Sequence, residues 1–188
     1  VDIGTGDGRF VYQMCQKNPE KFYIGIDPAQ EPLQKISEKI YRNKKHGGVD
    51  NALFIKASVE NLPDELTDIA DEVHVHFPWG SLLGAMLSGE AASLGQLRKI
   101  CKKESLLELI TSVDPGRDFT QMEKQKIAIP NDEIVLNFLV ENYRKSGFEI
   151  REYGFFDSGN WPNICSSWAA KLKISGKRQL FYLISQAI

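Results

Sequence analysis

The chain has 188 residues, 42% hydrophobic and 26% charged, with a net charge of −2 from 23 basic and 25 acidic side chains. That length fits one domain, 1–188, able to bury a core. No apolar run approaches the ~18 residues a membrane span needs, and a near-neutral total argues against a generic nucleic-acid binder.

Cys15, Cys101 and Cys165 are widely spaced and form no CxxC pair. Neither a disulfide framework nor a zinc site is indicated, and a reducing, cytoplasmic setting is expected. The chain opens at Val1 and enters a motif at once, so an N-terminal piece is expected to be missing. The cations are clustered. Lys35, Lys39, Arg42, Lys44 and Lys45 form one group, Arg98, Lys99, Lys102 and Lys103 a second, and Lys171, Lys173, Lys177 and Arg178 a third. Each reads either as a solvated face or as part of a basic surface on a more acidic body.

In chain order the pattern alternates strand and helix. Val1–Ile3 ends a strand and Arg9–Gln16 has helical spacing. Phe22–Ile26 is a β-rich run, followed by a helix over Gln30–Tyr41 that Gly47 and Gly48 break. Ala52–Ile55 and Glu72–Phe77 are the third and fourth strands. Helical patterns follow at Leu82–Met86 and Ala91–Cys101, then a buried strand at Leu106–Ile110. Residues 113–130 carry Asp, Pro, Gly and Arg with weak periodicity, and a long mobile linker is expected there. Asn131 caps a helix over Asp132–Lys145. Phe148–Phe155 and Gln179–Ile184 close the pattern, with a substrate-side loop over 160–178 between them. The fold class is α/β, a parallel-type sheet with helices on both faces. In such sheets ligands sit beyond the carboxyl ends of the strands.

The first strand runs into Asp2-Ile3-Gly4-Thr5-Gly6-Asp7-Gly8, and Asp27 closes the second. Glycines let the backbone approach a ligand, and a carboxylate at Asp27 can accept both ribose hydroxyls of a nucleoside cofactor. Position 9 is Arg, so the spacing is not Gly-x-Gly-x-x-Gly, and Asp2 would repel a pyrophosphate. Both details favour S-adenosylmethionine over NAD. The turn after the third strand, with Ser58, Val59 and Glu60, can hydrogen-bond an adenine edge or be a plain connection.

The fourth strand ends in Phe77-Pro78-Trp79-Gly80-Ser81, where a methyl acceptor would sit. Trp79 offers a flat face there, and Trp168, in Ser166-Ser167-Trp168, offers a second. The pair either sandwiches an extruded nucleobase, with the Lys/Arg tail on its phosphates, or belongs to the core. His74 and His76 share one strand face. No third ligand has an obvious position, so a metal is not expected and a buried or half-exposed strand face is.

Taken in register, Asp2–Gly8, Phe22–Pro28, Phe77–Gly80 and Ser166–Trp168 resemble the aminoglycoside-resistance 16S rRNA (adenine(1408)-N(1))-methyltransferases of the Kam and Npm type. The likeness runs through nearly the whole chain, is poor over 113–130, and lacks that family's N-terminal hairpin. It implies a class I, Rossmann-like methyltransferase with a mostly parallel seven-stranded sheet. It also implies methyl transfer from S-adenosylmethionine to N1 of adenine 1408 in the decoding site, leaving S-adenosylhomocysteine and conferring aminoglycoside resistance.

By the same resemblance, Asp2, Gly4, Gly6, Asp27, Ser58, Val59, Glu60 and Ser81 line the cofactor, with Thr5, Asp7 and Pro28 of the same turns. Trp79 and Trp168 stack the flipped adenine, Ser166 supports the pocket, and Phe77-Pro78 orient the base edge. Arg178 holds the distorted phosphate backbone. Lys39, Arg42, Lys44, Lys45, Lys171 and Lys177 dock ribosomal RNA. The implied partner is the 30S subunit through its 16S rRNA, met by a cytoplasmic monomer without a membrane or a metal. Two rival readings are a tRNA (guanine-N7) methyltransferase and a non-catalytic RNA-binding module that keeps the cofactor fold. Against the first, Trp79 is followed by Gly80-Ser81-Leu82-Leu83 rather than a basic stretch.

Overall fold

A computed structural model describes residues 1–157, 160–162, 164, 167–174 and 178–188, without the side chains of Pro115, Leu136, Ser167, Trp168, Lys173 and Ile174. Seven strands form one sheet: β1 (Asp2–Ile3), β2 (Tyr23–Asp27), β3 (Ala52–Lys56), β4 (Ala70–His76), β5 (Cys101–Thr111), β6 (Phe148–Phe156) and β7 (Leu180–Ala187). Their order is β3-β2-β1-β4-β5-β7-β6. The pairs joining β3, β2, β1, β4 and β5 are parallel, whereas β7 lies antiparallel between β5 and β6.

Alternation along β4 sets the two faces. Val73 and Val75 are fully buried on one side, with Leu107 and Leu109 of β5 and with Leu83, Met86, Leu94 and Leu97 from helices α3 (Gly80–Ser88) and α4 (Ala91–Ile100). Each fully buried Leu contributes roughly 1.5–3 kcal/mol. His74 and His76 project from the opposite face, where Phe10 of α1 (Arg9–Lys17) meets both rings edge-on. Val11 and Cys15 of α1 and Ile40 of α2 (Gln30–Ile40) pack with Tyr23 and Ala52 of β2 and β3.

Residues 113–130 differ from the expected linker. They form helix α5 (Pro115–Gln125), capped by Asp114, whose side chain accepts from the Gly116 N–H. Pro115 at the first helical position lacks an N–H that would have no intrahelical partner there, so the Asp-Pro-Gly run starts a helix rather than a loop. The loop expected over 160–178 likewise contains a helix, α8 (Ser167–Ile174). Asn131 caps its helix as expected, accepting from the Ile134 N–H. That helix runs as α6 (Asp132–Ile134), a π-helical stretch (Val135–Leu139) and α7 (Val140–Lys145).

Chain direction of travel reverses between β1 and β4. β2 and β3 lie to one side of β1 and β4 and β5 to the other, which opens a crevice at the carboxyl ends of the central strands.

Candidate active site

The crevice begins with the glycine loop. Gly4, Gly6 and Gly8 all have positive φ, at 75°, 58° and 69°. At Gly8 a Cβ would also stand 2.6 Å from the Phe54 ring, so only glycine fits both the conformation and the space. Asp27 fixes the loop from the end of β2. Its Oδ2 accepts from the Gly6 N–H at 2.8 Å and its Oδ1 from the Ala29 N–H at 2.8 Å. A carboxylate oxygen has lone pairs left after one such bond, so the same group can still accept ribose hydroxyls.

The turn after β3 supplies the opposite wall. The Glu60 carboxyl is held below its usual value, chiefly by its own backbone N–H and further by the Ser58 and Ser81 hydroxyls, against a smaller rise from burial. Ser81 donates to Glu60 Oε1 at 3.2 Å, tying the start of α3 to the β3 turn. Gly4, Gly6, Asp27, Pro28, Ser58, Val59, Glu60 and Ser81 thus line one cleft of about 270 Å³, with Phe77, Pro78 and Trp79 at its end. Three residues nominated from the sequence stand outside that lining. Asp2 and Thr5 are buried behind the loop, and Asp7 pairs with Arg9. Burial pushes the Asp2 carboxyl above its usual range, with the charge of His76 pulling it back.

A second cavity, of about 190 Å³, adjoins the first across the Phe77-Pro78-Trp79 turn. Both cavities share those three residues, and Thr111, Ser112, Asp118, Leu172 and Arg178 complete the second. The turn is held hard. Phe77 has φ 49°, a left-handed conformation uncommon for a bulky residue, while its N–H donates to Ile110 O at 2.7 Å. Trp161 stacks on Phe77 with ring centroids 6.4 Å apart, and its Nε1 donates to Arg178 O. Trp79 stays half-exposed at the mouth.

Arg178, which the family resemblance puts on the distorted phosphate backbone, is buried and paired. It is only 8% exposed and forks onto Asp118 of α5, with Nη1 to Oδ2 at 2.8 Å and Nη2 to Oδ1 at 3.3 Å. The reason is electrostatic: an unpaired charge costs too much inside, and the Asp118 carboxylate lies within reach. Asp118, Ser112 and Trp161 were not singled out from the sequence. The first sits in the stretch read as a linker, and the third is a lone Trp with no motif around it.

The other nominated residues divide. Arg42, Lys44 and Lys45 are exposed where α2 gives way to a single 3-10 turn, and Lys44 pairs with Asp50. Lys39 lies 3.7 Å from the centroid of the Tyr12 ring. Lys171 is exposed on α8. Ser166 and Lys177 lie outside the described residues, as does the Trp168 side chain. Three of the four cations of the second basic group are tied down locally, Lys99 on Asp64, Lys102 on Asp71, and Arg98 on the Cys101 and Ile188 carbonyls. The sequence offered no third donor beside His74 and His76, but the sheet brings one, Glu108 of β5.

A seven-stranded sheet with one antiparallel strand, a glycine loop at its switch point and an acid closing β2 is a class I S-adenosylmethionine-dependent methyltransferase. Comparison with known proteins is more specific. The model of the NpmA family, 16S rRNA (adenine(1408)-N(1))-methyltransferase, matches residues 1–187, and the chain belongs to that family. A 16S rRNA (adenine(1408)-N(1))-methyltransferase from Escherichia coli is 34% identical over 185 residues, which is 96% of this chain and 83% of that protein.

Among solved structures, the aminoglycoside resistance methyltransferase NpmB1 superposes with a TM-score of 0.84 at 34% identity, over 100% of this chain and 85% of its own. A tryptophan variant of the Catenulisporales acidiphilia enzyme, solved with cosubstrate SAM, gives 0.89 at 28% identity over 100% and 84%. tRNA (guanine-N(7)-)-methyltransferases match only in part. The one from Bacillus cytotoxicus is 32% identical over 82 residues, or 42% of this chain.

Proposed function

We propose that the chain transfers the methyl group of S-adenosylmethionine to N1 of adenine 1408 of 16S rRNA in the 30S subunit, and so confers aminoglycoside resistance. Beyond family membership, one observation carries the reading. Two adjoining cavities share the Phe77-Pro78-Trp79 turn, one walled by the glycine loop and Asp27 and the other by Ser112, Asp118 and Arg178. A methyl donor in the first and a planar base in the second meet at that turn.

The residues present fit the cofactor. The Asp27 carboxylate takes the ribose hydroxyls, the turn carrying Ser58, Val59 and Glu60 meets the adenine edge, and the glycine backbone lets the ligand lie close. Bound there, the cofactor supplies an activated sulfonium methyl group.

Adenine N1 carries an in-plane lone pair and is mostly unprotonated at neutral pH. That lone pair forms the new N–C bond as the S–C bond breaks, and the S–C electrons stay on sulfur. The positive charge of the sulfonium passes to the methylated ring, which keeps it at neutral pH. No base acts before transfer, so the rate comes from placing N1 in line with the methyl group. Trp79 supplies one stacking face. By the family motif Trp168 supplies the other and Ser166 supports the pocket. Phe77, held by Trp161 and by the β5 backbone, fixes the plane of the turn. Arg178, pinned by Asp118, presents a set positive charge behind the base pocket. Lys39, Arg42, Lys44, Lys45, Lys171 and Lys177 dock the surrounding RNA, and a ribosomal substrate places the chain in the cytoplasm.

The test is transfer of labelled methyl to purified 30S subunits, with naked 16S rRNA and bulk tRNA alongside and the modified base mapped by reverse-transcription stops. A single stop at adenine 1408 is the expected result. Label in tRNA alone, or cofactor binding with no labelled RNA, overturns the reading.

A further inference from the structure

Among the described residues, one group of His, Cys, Asp and Glu side chains brings three ligand atoms together and plays no part in methyl transfer. It comprises His74 and His76 of β4 and Glu108 of β5, with donor atoms all within 4.8 Å of one another. His74 and Glu108 are register partners across the parallel β4–β5 pair, and the two-residue repeat of a strand puts His76 on the same face. Glu108 Oε1 stands 3.2 Å from His74 Nδ1 and 2.5 Å from His76 Nε2. Phe10 of α1 closes over both imidazoles, with ring centroids at 5.3 and 4.7 Å.

We propose that His74, His76 and Glu108 form a binding site for a divalent transition-metal ion of the zinc class, stapling β4 to β5 beneath α1.

Four features support the site. Two imidazoles and one carboxylate are borderline donors that suit zinc and its first-row neighbours, whereas magnesium and calcium take oxygen shells. Around a tetrahedral ion with bonds of ~2.0–2.2 Å, ligand atoms stand about 3.3 Å apart, so the 2.5 Å His76–Glu108 contact has to widen by about 1 Å and the two imidazole nitrogens, within 4.8 Å, to close by at most about 1.5 Å. The Glu72 carboxylate adds negative charge beside the group, its Oε2 3.6 Å from His74 Nε2. Finally, the three ligands stand on adjacent strands of a sheet, which holds their geometry more tightly than loops do. The His74 side chain, 18% exposed, leaves a route in from solvent, and water completes the shell.

The site neighbours the cofactor cleft without entering it, since His76 precedes Phe77 but points to the α1 face. The inference is therefore independent of the methyl-transfer reading.

The experiment titrates the chelator-stripped chain with cobalt(II), which reports tetrahedral binding by visible d–d absorption, and then displaces it with zinc. The expected result is saturation at one cobalt per chain, loss of the spectrum on zinc addition, and no displacement by magnesium. His74→Gln and Glu108→Gln should each weaken cobalt binding about tenfold or more. The far-ultraviolet circular dichroism and melting temperature of each metal-free variant check its fold. Where one variant does not fold, the other carries the test. No saturable uptake overturns the proposal. So does an intense sulfur-to-cobalt charge-transfer band, which would place the ion on cysteine, or undiminished binding in a folded variant.

Discussion

Asp27 works twice. Its two oxygens already hold the Gly6 and Ala29 N–H groups, so the glycine loop is shaped before any ligand enters. Charge-assisted bonds of this kind contribute about 1.5–3 kcal/mol each. Asp27→Ala should therefore weaken S-adenosylmethionine binding by about 10²-fold in a calorimetric titration, because the variant loses both the ribose acceptor and the loop anchor. Trp79 tests the other half of the site. Half-exposed at the mouth shared by both cavities, it contributes a stacking face worth about 1–3 kcal/mol. Trp79→Ala should cut kcat/KM on 30S subunits by about 5- to 150-fold and leave cofactor affinity near that of the parent. Full activity in that variant, together with loss of activity in a carboxylate variant of normal cofactor affinity, would mean that a base is needed after all. The glycines, Asp27 and Trp79 were legible in the sequence because a short local motif fixes each one's place at a strand end. Asp2 was legible as an acid but not as a buried one, since packing behind the loop is decided by elements elsewhere in the chain.

At the scale of elements, α5 decides how the base pocket is closed. Asp118 accepts from the Asp114 N–H within its own helix start and from Arg178 at the threshold of β7. The pair thus joins the segment after β5 to the segment before β7 across the second cavity. Removing one member of a buried pair leaves the other charge stranded, at a cost of about 3–5 kcal/mol. Asp118→Ala should lose about that much stability in urea unfolding, and Asp118→Asn less, because the amide oxygen still accepts one guanidinium bond. A loss below about 1 kcal/mol for Asp118→Ala would show that water reaches Arg178. The sequence pattern did not disclose α5. Its Pro-Gly opening and polar surface look like linker, and the side chains that face inward are themselves polar, Asp118 against Arg178 and Gln125 against Gly84 of α3.

For the whole molecule, near-zero net charge conceals an uneven surface. The exposed cations from Arg42 to Lys45 sit on a turn braced by Tyr12, whose hydroxyl donates to Gly47 O at 2.8 Å and whose ring carries Lys39. Phosphate contacts made by such a patch release counterions and are weakened by salt. The double variant Arg42→Glu, Lys45→Glu should bind 30S subunits more weakly and with a shallower salt dependence than the parent, while melting temperature and cofactor affinity stay unchanged. An unaltered salt slope would remove this turn from the RNA interface. Charge clusters are visible in sequence, but their use is not. Each of the three basic groups has cations held by the chain itself, Lys44 on Asp50, Lys99 and Lys102 on Asp64 and Asp71, and Arg178 on Asp118.

Apart from α5 and α8, the strands and helices were legible along the chain, as were the glycine loop with its acidic partner and the Phe-Pro-Trp turn. These are encoded in stretches of a few residues, where backbone sterics and side-chain periodicity act locally. Long-range packing, by contrast, inserts β7 antiparallel between β5 and β6, brings Arg178 to an aspartate 60 residues earlier, and stands Glu108 beside two histidines of another strand. Those outcomes depend on strand order and on the high cost of leaving charge unpaired in the interior, and no local window of the chain carries either.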